Sequence, residues 1–458
     1  MRGEDDVKWP CRQARLRQRL ARRLRRRLQG WREVGRGFMR GHHMSRKPFG
    51  KGWGSVREAD GLAGGDFLRY SSRIGLAMEL PQQEIASRIA RLLGVAAQAD
   101  LAGVVVFGRS FYDRPGPVGY LTGFLPPFPS SADAPGVSGL GQVALVLQGA
   151  AKPLIITDRF VRPFDHALFD VTATADVAGA VVAAVGRRGG ALWGTAGSDI
   201  VPFDLFARVR EGLASVRWQS LDRELHALRR HKSPEDVLGL RRAAQVAAAG
   251  FEAAIGAIRA GVRERDVAAA GMGAAIAAGA DFVRYLRVHT GAASAVGSRW
   301  PPATDTRIAA GDLVSMDFVG AAGGYGFDLE RTVLVRPAPE KAHQLLEDAH
   351  TVEAAALAVV RAGQTVEGLI AEIRRAADAT RSGEYLSGFF GHGIGLETLE
   401  WPYLMPGQTG GLVAGEVLCI EPGLRCPGFG GAEVEDEVLV TESGCELLSP
   451  FRREPILV

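Results

Sequence analysis

The sequence predicts an α/β amino-terminal domain followed by an α+β domain in which two glycine-turned hairpins carry paired carboxylates. Three observations support this. From residue 81 onward, helical and strand-like runs alternate, as in a sheet covered by helices. Between residues 216 and 234 a charged stretch ends in Ser233-Pro234-Glu235, a helix-start signal that marks a boundary. Beyond it, two β-rich runs flank Gly323-Gly324 and two more flank a Gly/Pro-rich turn around Gly428, with long helices between. The resulting spans are a basic, poorly ordered leader over 1–48, an α/β domain over 65–218 and the α+β domain over 222–458.

The elements follow in order. A helical pattern over 81–101 leads into a strand at 102–109, with further strands at 141–148, 152–158 and 190–195. Helices at 177–187 and 204–215 lie between them, an alternation that predicts a mostly parallel sheet. This domain has no glycine-rich phosphate fingerprint, and its Pro/Gly-rich segment 108–129 reads either as a pocket lip or as a plain connection. Alanine-rich helices are expected over 237–260 and 264–279, then the first hairpin over 314–335. Helices near 340–362 and 365–382, a glycine-flanked His392 and the second hairpin over 417–440 complete the chain.

Residues 1–50 hold 14 Arg and 2 Lys against 2 Glu and 2 Asp, a net of +12 in a chain of +4, which leaves −8 for the remainder. The high isoelectric point therefore belongs to the leader. There Leu16, Leu20, Leu24 and Leu28 recur every fourth residue among arginines, a pattern compatible with a basic helix on an anionic membrane or on nucleic acid. The preferred reading is an unstructured extension ahead of a start at Met44. Nothing in the body indicates nucleic-acid binding. No apolar run reaches transmembrane length, and the amino terminus lacks the apolar core of a secretory signal. Cys11, Cys419, Cys426 and Cys445 lack zinc-site spacing and read as reduced thiols, so a cytoplasmic location is expected.

The chemistry lies in the hairpins. Asp317 and Asp328 are equidistant from a point between Ala322 and Gly323, so a turn closing there would set them opposite each other. Opposed residues in an antiparallel pair have Cβ atoms roughly 4.5–5.5 Å apart, a destabilising distance for like charges unless a cation lies between them. Glu421 and Glu435 are symmetric about Gly428 in the same way. With His392 these make an oxygen-rich set suited to a pair of Mn, Fe, Co or Zn ions. Cys419 falls on the face of Glu421 and reads as a buried structural thiol, with contact to the metal shell as the alternative.

The segments Asp317-x10-Asp328-x2-Arg331-Thr332, GHGIGLE at 391–397, Glu421-Pro422-Gly423 and VEDEVLVTE at 434–442 resemble those of the pita-bread metalloenzymes of family M24. That family includes Xaa-Pro aminopeptidases and dipeptidases, methionine aminopeptidases and creatinase. Residues 229–255 resemble the linker and first helix of its two-domain branch. The resemblance implies a creatinase-like amino-terminal domain, a pita-bread catalytic domain and a homodimer. It also implies one metal on Asp317 and Asp328, a second on His392 and Glu421, and bridging by Asp328 and Glu435. A hydroxide shared by the two metals would attack a C–N carbonyl, with Glu421 shuttling the proton. Arg331 and Thr332 would tie the Asp328 strand in place.

The chain also departs from the family pattern. Leu399 stands where GHGIGLExHE peptidases have a second histidine, and residues 294–312 lack the histidine expected before the Asp317 strand. His289 lies further upstream. By the resemblance, both missing imidazoles assist peptide cleavage. Glu433 stands where relatives often have arginine; it reads as a solvated strand residue, with a charge near the metal centre that alters substrate charge preference as the alternative. His289, Arg299, Trp300, Tyr325, Glu400 and Trp401 are the candidate substrate contacts, the aromatic ones forming either a cation–π box or ordinary packing. The leading functional reading is a dinuclear metal-dependent hydrolase acting on a short peptide or small amide. A lyase or non-peptidase hydrolase on the same site, like the dimethylsulfoniopropionate lyases or creatinase, is the alternative, and a noncatalytic binding protein takes third place.

Overall fold

The computed structural model describes residues 78, 80–110, 116–126, 141–158 and 167–458. The leader with its leucine stripe, Cys11, Met44 and parts of segment 108–129 lie outside the described residues. In the first layer α1 (Gln82–Gln98) buries Ile85, Ile89, Leu92 and Ala96, one stripe at helical spacing. Then come β1 (Val104–Gly108), α2 (Gly116–Thr122), β2 (Val143–Leu147), β3 (Leu154–Thr157) and β4 (Asp170–Ala173). Helix α3 (Val177–Arg188) is capped by Asp176, whose carboxylate accepts from the Gly179 amide at 3.0 Å. Strand β5 (Leu192–Ala196), α4 (Phe203–Gly212) and β6 (Arg217–Ser220) complete a six-stranded sheet of order β4-β3-β2-β1-β5-β6.

That sheet is mostly parallel, as expected, with one strand reversed. β1/β5, β5/β6 and β3/β4 pair parallel, but β2 runs antiparallel to both β1 and β3. The connection 148–153 between β2 and β3 is too short for a crossover, so a hairpin is forced there. Within segment 108–129 the described residues include the buried helix α2, whose first amide, Gly116 N, donates to Glu397 at 3.2 Å.

After α5 (Asp222–Arg230), the Ser233-Pro234 signal opens α6 (Pro234–Ala257) with a full capping box between Ser233 and Asp236. Helix α7 (Glu264–Ala278) packs on α6, and β7 (Phe282–Thr290), β8 (Leu313–Ala322) and β9 (Tyr325–Leu334) follow. Next are α8 (Glu340–Val359), α9 (Val366–Asp378), β10 (Gly391–Gly393), β11 (Glu400–Tyr403), β12 (Val417–Ile420), β13 (Leu424–Cys426), β14 (Gly430–Ala432), β15 (Asp436–Val440), β16 (Cys445–Leu447) and β17 (Ile456–Leu457). They build a four-stranded sheet, β17-β9-β8-β7, and a five-stranded sheet, β11-β10-β12-β15-β16, with β13-β14 as a separate ribbon. An Arg331–Val434 bridge and a 3.0 Å bond from Glu435 N to Glu330 O join the two sheets.

Alternation positions the site. On β8, Val314, Met316 and Phe318 enter the apolar core with Phe251 of α6, while Ser315 and Asp317 face a cavity on the other side. The five-stranded sheet buries Leu418, Ile420 and Val438 against Val352 of α8 and Ile370 and Ile373 of α9. Each sheet thus has a helical layer behind it.

Candidate metal centre

The first hairpin closes on Gly323 and Gly324, both at positive φ (60° and 82°), so Ala322 pairs with Tyr325. The register therefore places Asp317 opposite Glu330 and Asp328 opposite Val319. This corrects the expectation that the two aspartates face each other: the two glycines are the turn, so its centre lies one residue later than assumed. Asp317 and Asp328 are diagonal neighbours on one face, a separation that side chains bridge. In the second hairpin the pairs Ile420–Asp436 and Leu424–Ala432 share one register, which sets Glu421 opposite Glu435.

His392 lies in register with Cys419 of β12. Gly391 is required beside it, because a Cβ there would fall 2.1 Å from the Cys419 carbonyl oxygen. His392 Nδ1 donates to the Gly393 carbonyl at 2.9 Å, which turns the Nε2 lone pair toward the carboxylates. Nε2 is 3.3 Å from Glu421 Oε1, 3.7 Å from Asp328 Oδ2 and 4.0 Å from Glu435 Oε1. Ligand atoms of Asp317, Asp328 and Glu435 lie within 4.8 Å of one another, as do those of His392, Cys419 and Glu435.

Three buried oxygens in this cluster, Asp317 Oδ1, Glu421 Oε1 and Glu435 Oε1, have no hydrogen-bond partner. Burial and the facing charge of Glu330 push the Asp317 carboxyl up to about 7. Burial and mutual repulsion also hold Asp328, Glu421 and Glu435 well above the usual carboxylate range. Converging, unpartnered carboxylate oxygens with one imidazole lone pair are the donor set a divalent cation requires, so the residues fit the metal.

Arg331 and Thr332 hold the frame. The Arg331 guanidinium donates to the Glu330 and Glu435 carbonyls and to Asp436, and Thr332 Oγ1 accepts from Glu433 N at 2.9 Å. Cys419 is fully buried, its thiol 3.7 Å from the Asp328 carbonyl oxygen.

The cluster lies on a cavity of about 600 Å³. Of the six substrate-contact candidates, His289 lines it, and its Nε2 is buried without a partner. The other five lie elsewhere. Arg299 is committed to Glu264 at 2.9 Å, and Trp300 is 73% exposed away from the cavity. The Tyr325 hydroxyl donates to Asp236 at 2.8 Å. Glu400 is buried against Arg229 and Lys232, and Trp401 packs edge-on against Tyr403. No box of these aromatics surrounds the cavity, whose described aromatic walls are Tyr285 and Phe389.

Glu433 is also corrected. It is buried rather than solvated, because Arg425 Nη2 pairs with it at 2.6 Å. Sequence reasoning missed Tyr285, Arg287, Glu330 and Arg425 as wall residues. The alternation Tyr285, Arg287, His289 along β7 was the available signal for two of them. Leu399 lines the mouth and is 45% exposed.

The profile of metallopeptidase family M24 matches residues 239–442, a span that includes all five metal-ligand candidates. An Xaa-Pro dipeptidase of Pyrococcus furiosus is 33% identical over 248 residues, 52% of this chain and 68% of the relative. One of Pyrococcus horikoshii is 30% identical over 56% of this chain and 73% of the relative. The chain belongs to metallopeptidase family M24. As an M24 protein it is a metal-dependent hydrolase of the peptidase class. The two-domain M24 architecture extends over most of the chain. The solved Xaa-Pro dipeptidase of Bacillus anthracis superposes with a TM-score of 0.71 at 24% identity, over 82% of this chain and 100% of that one. Dipeptidase PepE of Mycobacterium ulcerans superposes at 0.69 with 27% identity, over 83% and 99%.

Proposed function

We propose that this M24 protein hydrolyses Xaa-Pro or related amide bonds in short peptides, using two divalent cations held by Asp317, Asp328, His392, Glu421 and Glu435. The observation that carries this reading is the convergence of the unpartnered oxygens of Asp317, Glu421 and Glu435 with His392 Nε2 on one cavity. Two ions also fit the charge. Six carboxylates line the cavity, Asp317, Asp328, Glu330, Glu421, Glu433 and Glu435, against two guanidinium groups, Arg287 and Arg425. That leaves four negative charges when all are ionised, which two divalent ions neutralise.

Bound divalent cations would acidify a water and polarise the scissile carbonyl. Glu421, which lines the cavity 3.3 Å from His392 Nε2, takes the water's proton and delivers it to the leaving nitrogen. His392 is held in the tautomer that keeps Nε2 unprotonated. Arg331 fixes the spacing of the Asp328 and Glu435 strands. A homodimer and a cytoplasmic location belong to this reading, the latter supported by the free thiols of Cys419, Cys426 and Cys445. Among the described residues no helix is long and apolar enough to cross a membrane.

A small-molecule lyase or non-peptidase hydrolase on the same centre is the second reading. In its favour, His289 and His392 are the only imidazoles among the described lining residues. The test is turnover of Xaa-Pro dipeptides and tripeptides beside small amides, with Mn(II), Co(II), Fe(II) or Zn(II). Peptide cleavage that disappears in Asp328→Ala supports the proposal. Bound metal with turnover of small molecules alone favours the second reading.

A further inference from the structure

Amide hydrolysis moves negative charge onto the carbonyl oxygen as the carbon becomes tetrahedral, and a positioned donor at that oxygen lowers the barrier. Few nitrogens of the described cavity wall are available for this. His392 Nε2 faces the carboxylates. Burial and Arg299 lower His289 to about 4, so its imidazole is neutral near pH 7, and its single N–H is taken by the Val296 backbone. Arg425 is drawn to Glu433 at 2.6 Å.

Arg287, like Arg425, is held by one carboxylate and has an unpartnered Nε, but the carboxylate that holds it is Asp317 of the cluster itself. It lies in the middle of β7, in register with Asp317 and, across β8, with Glu330. Alternation puts it on the cavity wall between Tyr285 and His289. A guanidinium has five N–H donors in a rigid fork. In Arg287, Nη1 donates to Asp317 Oδ2, and Nη2 donates to the Tyr285 hydroxyl at 2.9 Å. The Tyr285 ring lies 4.3 Å from the guanidinium carbon, and Nε is buried without a partner. Asp317 therefore holds the guanidinium with one oxygen and keeps Oδ1 for the cation cluster. A fixed positive charge, with one N–H on each Nη not used by Asp317 or Tyr285, thus stands on the cavity wall beside the carboxylate cluster.

We propose, on the peptidase reading above, that Arg287 is a catalytic residue whose unused N–H groups donate to the carbonyl oxygen as it becomes an oxyanion. Water oxygen bonds to the carbonyl carbon, one water proton passes to Glu421, and the carbonyl π pair moves to the oxygen facing Arg287. When the pair returns, the C–N bond breaks and the proton on Glu421 goes to the amine. Arg287 keeps its protons throughout.

The test compares the full chain with Arg287→Gln and Arg287→Lys, each loaded with Mn(II). It reads kcat and KM on an Xaa-Pro dipeptide, metal per chain, and affinity for a phosphinic dipeptide analogue, whose tetrahedral anion mimics the oxyanion. In Arg287→Gln, kcat should fall on the order of 10²–10³-fold with KM within about threefold, while Arg287→Lys retains part of the rate. Metal content should hold, and phosphinate affinity should fall in step with kcat/KM. Unchanged kcat, a change confined to KM, or a loss of metal in step with rate would each overturn the role. Wild type that cleaves no peptide would defeat the peptidase reading and this inference with it. An active wild type with a fully active Arg287→Gln would remove the inference alone.

Discussion

Two buried charge clusters in this molecule show opposite electrostatics. Beneath β11, Glu397 and Glu400 meet Arg229 and Lys232, with Arg229 Nη2 2.6 Å from Glu400 and 3.1 Å from Glu397, and Lys232 Nζ 3.1 Å from Glu400. Two carboxylates are matched there by two cations, and Arg229 and Lys232 draw Glu400 down to about 2 against the cost of its burial. Across the sheets, Asp317 is also buried, and there burial together with the facing carboxylate of Glu330 prevails over Arg287, His392 and Arg425 and pushes it up to about 7. Burial alone does not set the sign; the local balance of charge does. Such a cluster holds protons while it is empty, and when ionised it favours cations from solution.

The largest break in the comparison comes from the unbalanced cluster. Asp328→Ala should lower peptide turnover by about 10³-fold or more and reduce bound metal, measured by steady-state kinetics and elemental analysis. Next, Arg229→Met removes a cation from the balanced cluster and leaves Lys232 alone to balance Glu397 and Glu400. It should cost about 3–5 kcal/mol in denaturant unfolding while metal content per folded chain stays unchanged. The metal-free protein should gain thermal stability on adding metal, about 2.7 kcal/mol at a hundredfold excess over Kd.

The two clusters should also separate by pH. The folded value of Asp317 in the metal-free chain lies above its unfolded value of about 3.9, so that contribution favours folding below pH ~3.9 and is lost as pH rises through about 7. Glu400 is depressed, so its contribution is present above its unfolded value of about 4.3 and is lost as pH falls toward about 2. Chelated protein should therefore melt at lower temperature at pH 8 than at pH 6, and saturating metal should remove that difference. The smallest effect belongs to Trp300→Ala. With the side chain 73% exposed and off the cavity wall, stability should move by no more than about 0.5 kcal/mol and KM should hold.

What the sequence revealed depended on how local the determinant was. The glycine pairs and caps acted within a few residues: Gly323-Gly324 made the turn, and Ser233 with Asp236 made the capping box. The symmetry of Glu421 and Glu435 about Gly428 carried through to the register, because the ladders on both sides of the turn agree. The first hairpin was misjudged by one residue at its centre, and that displaced Asp328 from Asp317 and brought in Glu330. Glu433 was misread because its partner, Arg425, reaches it across the β13-β14 ribbon. Glu400 was taken for a pocket residue because the cations that claim it, Arg229 and Lys232, lie far back in the chain. In both cases the deciding partner depended on tertiary contact and side-chain direction, which local patterns do not encode.

The most direct test of the account is the number of divalent ions bound per chain, read by calorimetric titration of Mn(II) into chelated wild type and Asp328→Ala. The account predicts two ions per wild-type chain and fewer in the variant. A wild type that binds none, or an Asp328→Ala chain that binds as wild type does, would contradict it.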